Sequence, residues 1–292
     1  MNRHLGFAAL AGVFLASSAM ADMKEETVKF QVDGQDVIGT LALPDGAPAP
    51  VILLFHGFTG NRNELAVAKT KEGVLQRTAR LLAEKGVASL RIDFRGSGES
   101  TDIAFADTTF EKQIADGIAA IAFVESDARV DGQKLGIIGW SQGGLVASAV
   151  AGRTNKPDAV ALWAAVATPA ETFTGLLGAD TLKAGMATGD KPLNIKLPWG
   201  AEIALKQGFF DGIASINPGA EIAAYKGPLF VAQGTEDTTV LPASADVFLE
   251  KHDGIEVKWS EKMDHVFNAF TGPETLDKMV AATTGFVVPN LK

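Results

Sequence analysis

The segment Gly139–Gly143 has the residue types and spacing of a turn that presents a nucleophilic serine. It reads Gly-Trp-Ser-Gln-Gly, so Ser141 has a glycine two positions before it and another two positions after it. Lys134–Ile138 precedes it as a mostly apolar run typical of a strand, and Gly144–Val150 follows it as a run typical of a packed helix. A serine on such a sharp turn has an accessible hydroxyl, and the small glycines let strand and helix approach each other. The pattern therefore predicts covalent catalysis through Ser141.

A serine nucleophile needs a general base, which is usually a histidine, and the chain has four. His4 lies in the N-terminal leader described below, and His252 ends a polar helix, where we expect a solvated side chain. His56 ends a predicted strand and has a bracing role, given below. His265 lies in Met263–Phe267 after the last predicted strand, where a loop can reach the carboxyl ends of parallel strands. We therefore predict that His265 is the base.

The base needs a carboxylate to orient it, and this acid is expected between the serine and the histidine along the chain. Asp237 is our choice, because it stands at the end of a predicted strand in Gln233–Asp237. Glu236 and Asp264 are the alternatives. Asp264 is adjacent to His265, which makes a hydrogen bond to Nδ1 of that ring awkward.

The oxyanion that forms when a serine attacks a carbonyl needs two backbone N–H donors. The amide of Gln142, directly after the nucleophile, is the first predicted donor. The second is the amide of Phe58, in the loop His56–Gly60 that follows the apolar strand Val51–Phe55. We expect His56 to brace this loop by hydrogen bonding rather than to take part in proton transfer.

The composition excludes several other classes of function. The net charge of −9 argues against a nucleic-acid partner and against electrostatic docking to anionic lipid. The absence of cysteine excludes disulfides, thiolate metal sites and a cysteine nucleophile. We found no His, Asp and Glu grouping with metal-ligand spacing, and Arg95–Gly98 lacks the Lys-Ser/Thr pair of a phosphate-binding loop. We therefore expect no metal and no cofactor, and we expect Asp93 with Arg95 to form a local ion pair.

The first 21 residues have the pattern of a secretory signal peptide. Arg3 gives a basic start, Leu5–Leu15 is apolar, and Ala19–Ala21 fits the small-x-small cleavage rule, which leaves Asp22 as the first mature residue. A membrane anchor is the alternative, but the apolar stretch is shorter than the roughly 20 residues that span a bilayer. The pattern therefore predicts export to the periplasm or the medium and no stable membrane insertion.

Strand and helix patterns alternate along the rest of the chain, which predicts an α/β fold with a mostly parallel sheet covered by helices on both sides. Thr108 and Glu111 fit a capping box at the start of one helix, whose stripe of Phe110, Ile114, Ile118 and Ile121 predicts a buried face. Residues 168–226 interrupt the alternation, and a structureless loop of that length is improbable. We expect a cap over 168–226, and a core made of 22–167 and 227–292.

With these residues placed, the chain resembles the α/β-hydrolases of the bacterial feruloyl (cinnamoyl) esterase group over nearly the whole mature chain. The motifs that carry the resemblance are His56–Asn61, Val87–Ser100, Ser141–Gly144 and Gly234–Asp237. The resemblance implies an α/β-hydrolase fold with a small cap, Ser-His-Asp chemistry and no cofactor. Trp140 departs from the group, in which histidine is expected at this position, and the cap sequence is the chain's own.

Aromatic residues of the cap and its surroundings leave two interpretations open. They line an apolar pocket for an aromatic acyl group, or they form the small core of the cap. The residues concerned are Phe58, Phe173, Trp199, Phe209 and Phe210, with Trp140 beside the acyl pocket.

Together these features predict an exported serine carboxylesterase that acts on a small-molecule ester, with hydroxycinnamate esters as one substrate class. The same Ser, His and Asp residues also serve amide, peptide or thioester hydrolysis. A non-catalytic binding protein on the same scaffold is the third alternative, and it predicts a missing member of the Ser-His-Asp set. The sequence indicates no oligomeric state.

Overall fold

The computed structural model describes residues 23–46 and 48–292, and a central β-sheet covered by helices on both faces organises this part of the chain. Residues 1–21, with their predicted signal peptide, lie outside the described residues. The strands are β1 (Lys24–Val32), β2 (Gln35–Leu43), β3 (Ala49–Phe55), β4 (Ala88–Asp93), β5 (Val130–Trp140), β6 (Ala159–Trp163), β7 (Leu193–Lys196), β8 (Glu202–Leu205), β9 (Leu229–Gly234) and β10 (Glu256–Glu261). The helices are α1 (Val74–Ala83), α2 (Phe110–Ser126), α3 (Gln142–Thr154), α4 (Pro169–Leu177), α5 (Ala179–Gly185), α6 (Gln207–Ser215), α7 (Pro218–Ala224), α8 (Ala243–Lys251) and α9 (Glu274–Val287).

The sheet has the strand order β1-β2-β4-β3-β5-β6-β9-β10. The first two strands form an antiparallel hairpin, in which Asp33 and Gly34 both have the positive φ angles of a tight turn. β2 pairs antiparallel with β4. The remaining strands run parallel to one another, in the sheet order β4, β3, β5, β6, β9 and β10. The predicted α/β class with a mostly parallel sheet is therefore confirmed.

Helices cover both faces of this sheet, which explains why its central strands are apolar throughout. Helices α2, α3 and α8 contribute to the core on one face, and α1 and α9 contribute to the core on the other. Every side chain from Val51 to Phe55 in β3 is fully buried. A strand buried on both faces needs such a continuous apolar run, so the prediction for this segment is confirmed.

The start of α2 differs from the prediction. The helix begins at Phe110, and Thr109 is its N-cap, because the Thr109 hydroxyl accepts the amide hydrogen of Lys112 at 3.2 Å. A short 3₁₀ turn, Phe105–Asp107, ends just before Thr108, whose hydroxyl accepts a hydrogen bond from the side chain of Gln113 instead. The predicted capping box of Thr108 and Glu111 is therefore wrong.

Two further details of burial were also predicted wrongly. Ile118 is 37% exposed, because at 100° per residue it lies at the edge of the stripe that buries Phe110 and Ile114. His252 is buried, and one ring nitrogen lies 3.0 Å from the carbonyl oxygen of Gly227. This histidine packs beside the Tyr225 ring, so it is not a solvated residue.

The segment between β6 and β9 contains helices α4 to α7 and the antiparallel hairpin β7–β8. Helix α4 packs against α5 and α6, and β8 lies close to the 3₁₀ turn at Phe105–Asp107. Helix α7 packs against α3 and α8 instead. The range 168–226 that we assign to a cap thus includes one helix that rests on the helical layer of the core.

No helix among residues 23–46 and 48–292 is both long enough and apolar enough to cross a membrane.

Candidate active site

Ser141 occupies the sharp turn between β5 and α3, with a strained backbone. Its φ of 55° and ψ of −118° lie in a region that residues with a side chain rarely adopt. The Ser141 amide donates to the carbonyl oxygen of Trp163 on the neighbouring strand at 2.9 Å, which ties the turn to the sheet. Such strain persists only where the surroundings enforce it, and it leaves the Ser141 hydroxyl at the floor of an open cavity.

The glycines around Ser141 are required by close backbone contacts. A Cβ atom on Gly139 would lie 2.3 Å from the carbonyl oxygen of Gly143, and one on Gly143 would lie 2.3 Å from the carbonyl oxygen of Phe55. A Cβ on Gly144 would lie 2.3 Å from the Cβ of Ala165. The residue types of the motif therefore follow from how closely β5, α3 and the end of β3 approach one another.

A Gly143→Ala substitution is expected to lower the free energy of unfolding by about 1–3 kcal/mol, because the obstructing oxygen belongs to the backbone of a central strand. Urea denaturation of the purified variant measures this loss. Gly285→Ala in α9 is the matched control, since a Cβ there meets no atom within 4 Å. We expect the control to be more stable by about 0.5–1 kcal/mol, and equal changes in both variants would contradict the steric argument.

The structure brings Ser141, His265 and Asp237 together in one hydrogen-bonded chain. The Ser141 hydroxyl lies 3.0 Å from Nε2 of His265, and Nδ1 of His265 lies 2.8 Å from Oδ2 of Asp237. Because a carboxylate can only accept, Nδ1 carries the hydrogen and Nε2 is free to accept the serine proton. Among the hydrogen bonds of the described residues, Nε2 of His265 has no partner other than the Ser141 hydroxyl.

Asp237 is buried and its carboxylate is saturated with hydrogen bonds. Oδ1 accepts the amide hydrogens of Thr239 and Val240, both at 2.9 Å, and Oδ2 also accepts from the Gln233 side chain at 3.2 Å. These bonds fix the carboxylate in the orientation that receives the His265 ring. The loop after β9 thus holds the Asp237 carboxylate in one orientation.

The two alternative acids have other roles in the structure. Glu236 is exposed and lies 3.4 Å from the Lys262 ammonium group. Asp264 accepts the amide hydrogens of Val266 and Asn268, at 3.0 and 2.8 Å, within its own turn. Neither carboxylate approaches the His265 ring within hydrogen-bonding distance.

Trp140 connects the serine turn to the loop that carries the histidine. Its indole Nε1–H donates to the carbonyl oxygen of His265 at 3.2 Å, and its ring packs against Phe267. Trp140 is only 3% exposed, although it contributes to the wall of the cavity beside Ser141. The residue that departs from the resembled group therefore also holds the base in position.

The two predicted oxyanion donors flank Ser141. Phe55 of β3 pairs with Gly139 of β5, so the loop that follows β3 passes beside the serine turn. A Cβ on Gly57 would lie 3.4 Å from the Cβ of Ser141, which shows how close this loop comes. Among the hydrogen bonds of the described residues, neither the Phe58 amide nor the Gln142 amide has an acceptor in the chain. Both amides are thus available to a bound group.

His56 braces the loop that carries Phe58, as predicted. Its Nδ1 donates to the carbonyl oxygen of Gly57 at 2.8 Å, and its Nε2 accepts the amide hydrogen of Phe94 at 3.2 Å. Burial lowers the pKa of His56, and the hydrogen bond to Gly57 opposes this effect. A buried neutral imidazole with both nitrogens bonded fixes the end of β3 relative to β4.

A cavity of about 520 Å³ opens above Ser141 and His265. Its apolar wall includes Leu65, Leu176, Trp199, Val266 and Phe270. Trp199 on the β7–β8 hairpin and Phe270 after β10 are 57% and 65% exposed, so aromatic surface flanks the cavity entrance. The volume and the walls suit a small, largely apolar ligand.

The aromatic residues that we considered for the pocket separate into two sets. Phe58, Trp140 and Trp199 contribute to the cavity wall. Phe173, Phe209 and Phe210 are at most 1% exposed and are absent from that wall. Phe173 and Phe209 pack against each other and against Phe58, with ring centroids 5.3–5.5 Å apart. The three buried phenylalanines are therefore packing residues beneath the cavity, which corrects their assignment to substrate binding.

Several residues of the cavity wall were not predicted from the sequence, and Glu64 is chemically the most distinctive of them. No spacing rule selects it, because its loop has no regular period. The only signal was its position a few residues after the predicted oxyanion donor Phe58.

In the part of the chain that the structure describes, no group of three or more His, Asp or Glu residues is arranged to hold a metal ion.

A family model described as the alpha/beta hydrolase fold matches residues 50–211. The chain is 28% identical over 188 residues to polyketide transferase ATR5 of Stachybotrys chlorohalonatus, an alignment that covers 61% of this chain and 58% of that protein. It is 30% identical over 116 residues to thiohydrolase aneE of Aspergillus aculeatus, which covers 40% of this chain and 33% of that protein.

The chain thus spans between one third and three fifths of the length of these two curated relatives. Among solved structures it is similar to Est1E from Butyrivibrio proteoclasticus with bound ferulic acid. The TM-score is 0.72, the sequence identity is 22%, and the match covers 90% of this chain and 98% of Est1E. At this identity the likeness concerns the fold.

Proposed function

The chain belongs to the alpha/beta hydrolase fold family, and on that premise we propose that it is a serine hydrolase that cleaves carboxylic esters. One observation carries the proposal: Ser141, His265 and Asp237 are linked by hydrogen bonds of 3.0 and 2.8 Å at the floor of an open cavity. A chain of nucleophile, base and orienting carboxylate is the arrangement that acyl transfer requires.

In the proposed reaction the Ser141 oxygen attacks the carbonyl carbon of the ester while its proton passes to Nε2 of His265. The carbonyl oxygen becomes an oxyanion and accepts hydrogen bonds from the Phe58 and Gln142 amides. The C–O bond to the alcohol then breaks, and His265 returns the proton to the departing oxygen. A water molecule repeats the sequence on the acyl-enzyme, which releases the carboxylic acid and restores the Ser141 hydroxyl.

In this reaction Asp237 keeps the histidine in the productive tautomer. Its Oδ2 accepts the Nδ1 hydrogen of His265, so Nε2 faces Ser141 as an acceptor in the resting state. When the ring takes up the serine proton, the buried carboxylate stabilises the resulting positive charge. The hydrogen bonds from Thr239 and Val240 leave the carboxylate no other orientation.

The cavity supports esters with an apolar acyl or alcohol group. Trp140, Trp199 and Phe270 offer flat apolar surface next to Ser141, and 520 Å³ is enough for a single aromatic ring with a short chain. Hydroxycinnamate esters fit this description, and the fold resembles that of Est1E, whose solved structure contains ferulic acid. We therefore propose hydroxycinnamate esters as the first substrate class to test.

Thioester hydrolysis is the second candidate, because one curated relative is named as a thiohydrolase. The proposed mechanism accommodates it with a single change, in which a thiolate rather than an alkoxide leaves. The choice between the two leaving groups depends on the cavity walls, and not on Ser141, His265 or Asp237.

Steady-state hydrolysis of p-nitrophenyl butyrate, methyl ferulate, an S-acyl thioester and a p-nitroanilide tests the proposal. The Ser141→Ala variant supplies the background rate for each compound. We expect Ser141-dependent turnover of both esters, with a higher kcat/KM for the ester whose acyl group is aromatic. Turnover of the thioester alone would replace the ester assignment, and no Ser141-dependent turnover of any compound would refute hydrolysis.

A further inference from the structure

A carboxyl group with no part in the reaction described above lies in the wall of the cavity. Glu64 is partly buried and lines the same cavity as Ser141 and His265. Its two carboxyl oxygens lie 3.0 and 3.3 Å from the amide nitrogen of Gly57, which donates to them. Gly57 immediately precedes Phe58, whose amide is one of the two proposed oxyanion donors. Glu64 is therefore bonded to the peptide segment that presents that donor.

Two glycines leave the space that the Glu64 carboxyl occupies. A Cβ atom on Gly60 would lie 2.3 Å from Oε1 of Glu64, and one on Gly57 would lie 3.3 Å from the same oxygen. The carboxyl is thus packed against the backbone of its own loop on two sides. Any larger residue at position 60 would push the carboxyl away from the Gly57 amide.

The backbone of Glu64 is held in an unfavourable conformation. Its φ is +35°, which residues with a side chain rarely adopt. Its amide donates to the carbonyl oxygen of Asn61 at 3.0 Å, and its own carbonyl oxygen accepts from the Val74 amide at the start of α1 at 2.9 Å. These two bonds hold the strained residue between the loop and the helix, with its side chain turned to Gly57.

Burial raises the pKa of the Glu64 carboxyl to about 8, and the hydrogen bond from Gly57 acts in the opposite direction. No ion pair among the described residues involves Glu64, so no positive charge counteracts the effect of burial. The titratable and charged groups around its loop are engaged elsewhere: His56 with Gly57 and Phe94, Arg62 with Asp93 and Glu99, Arg77 with Glu72 and Asp277, and His265 with Asp237. We therefore expect the carboxyl to be mostly protonated at neutral pH.

We propose that Glu64 is a positioning residue, whose carboxyl group holds the Gly57–Phe58 peptide in the orientation that presents the Phe58 amide to the reacting carbonyl oxygen. The inference rests on the proposed function, because it assigns Glu64 to the same reaction. Glu64 acts through Gly57 and makes no bond to the substrate in this role.

The protonation state of Glu64 then sets a limit on the reaction. A neutral carboxyl accepts from Gly57 and leaves the oxyanion undisturbed. A carboxylate at the same place puts a negative charge beside the position where the oxyanion develops, which opposes the transition state. Activity is therefore expected to fall as the pH rises through about 8.

Three variants test the role of Glu64. Glu64→Gln keeps an oxygen that accepts from Gly57 but cannot ionise, so we expect kcat at pH 7 within about threefold of wild type. Glu64→Ala removes the acceptor, and we expect kcat to fall about 10- to 100-fold with little change in KM, which is less than the loss of a whole oxyanion donor. Gly60→Ala displaces the carboxyl, so we expect it to lower kcat about as much as Glu64→Ala does. The double variant Gly60→Ala/Glu64→Ala is expected to lose no more kcat than either single variant.

The pH profile separates positioning from a general structural role. Wild-type kcat is expected to fall at least about fivefold between pH 7 and pH 9.5, since most of a group with a pKa near 8 is ionised at the higher pH. Glu64→Gln is expected to lack this fall. Hydrogen exchange at the Gly57 amide gives a readout independent of activity: we expect protection in wild type and Glu64→Gln, and faster exchange in Glu64→Ala.

The outcomes distinguish this inference from the proposed function. Wild-type turnover combined with an unchanged kcat in Glu64→Ala would overturn the positioning role, as would unchanged exchange at Gly57. An alkaline fall that persists in Glu64→Gln would overturn the charge argument. If wild type hydrolyses no ester, the proposed function fails. If exchange at Gly57 nevertheless follows the expected pattern, the hydrogen bond by which Glu64 orders its loop is still supported.

Discussion

Replacing Ser141 with alanine is expected to lower kcat for every ester that the protein hydrolyses by about 10⁴- to 10⁶-fold. The substitution removes the attacking oxygen and leaves the oxyanion donors and the cavity in place. The residual rate would come from water attacking a carbonyl that is still polarised by the Phe58 and Gln142 amides. Initial rates at high enzyme concentration measure the residual activity against the uncatalysed reaction.

Replacing His265 with alanine is expected to cost about as much as replacing Ser141, because the nucleophile is ineffective without its base. The double variant should therefore lose no more than either single variant, although independent contributions would multiply. Ser126→Ala is the control, since this serine is exposed at the end of α2 and bonds only to its own helix. A Ser141→Ala enzyme that retained a tenth of the wild-type kcat would place the nucleophile elsewhere.

Replacing Asp93 with alanine is expected to lower the free energy of unfolding by about 3–5 kcal/mol, the typical cost of removing one partner of a buried ion pair. Asp93 is fully buried at the end of β4 and forms an ion pair with the Arg62 guanidinium group. Its carboxylate also accepts the amide hydrogens of Arg62 at 2.6 Å and of Glu99 at 2.9 Å. Without Asp93, two amides lose their acceptor, and the largely buried Arg62 guanidinium keeps only the exposed Glu99 carboxylate as an ion-pair partner.

Urea denaturation at pH 7 measures this loss of stability. Asp246→Ala is the matched control, because Asp246 also forms an ion pair, with Lys258, but 54% of its side chain is exposed. An exposed pair contributes at most about 1 kcal/mol, so the control should remain near wild type. Similar losses of unfolding free energy in both variants would mean that burial does not explain how much the Asp93–Arg62 ion pair contributes to stability.

The expectation of an ion pair between Asp93 and Arg95 was wrong, because each of these residues pairs with a partner that is distant in the sequence. Arg95 pairs with Asp116 on α2, and burial raises the pKa of Asp116 to about 6, against the opposing effect of Arg95. Asp93 pairs with Arg62, which lies 31 residues away in the chain. The strand β4 ends at Asp93, so its regular alternation of side chains does not extend to Arg95, and the two residues have different partners.

The predicted parts of the site were those with a local signature or a fixed chain order. The serine turn could be predicted because close backbone contacts restrict the residues at positions 139 and 143 to glycine. His265 and Asp237 could be selected because few residues of the right chemistry follow strands in the required order. The structure places both beside Ser141.

Other features depend on contacts between segments far apart in the sequence and have no local signature. Phe209 and Trp199 are both aromatic residues of the segment between β6 and β9, yet one is buried and the other lies at the cavity entrance. His252 is buried because Tyr225 and Gly227 approach it from a preceding segment. Glu64 reaches Gly57 only because its loop turns back on itself.

Two tryptophans in the cavity wall offer a way to follow ligand binding by fluorescence. Of the four tryptophans in the chain, Trp140 and Trp199 line the cavity, whereas Trp163 of β6 is buried against α9 and Trp259 lies on β10. Trp199 is 57% exposed, so an apolar ligand that packs beside it is expected to remove it from contact with water. We therefore expect its fluorescence emission to shift to shorter wavelength on binding, which would allow binding to be followed without a chromogenic substrate and even in a protein that lacks Ser141.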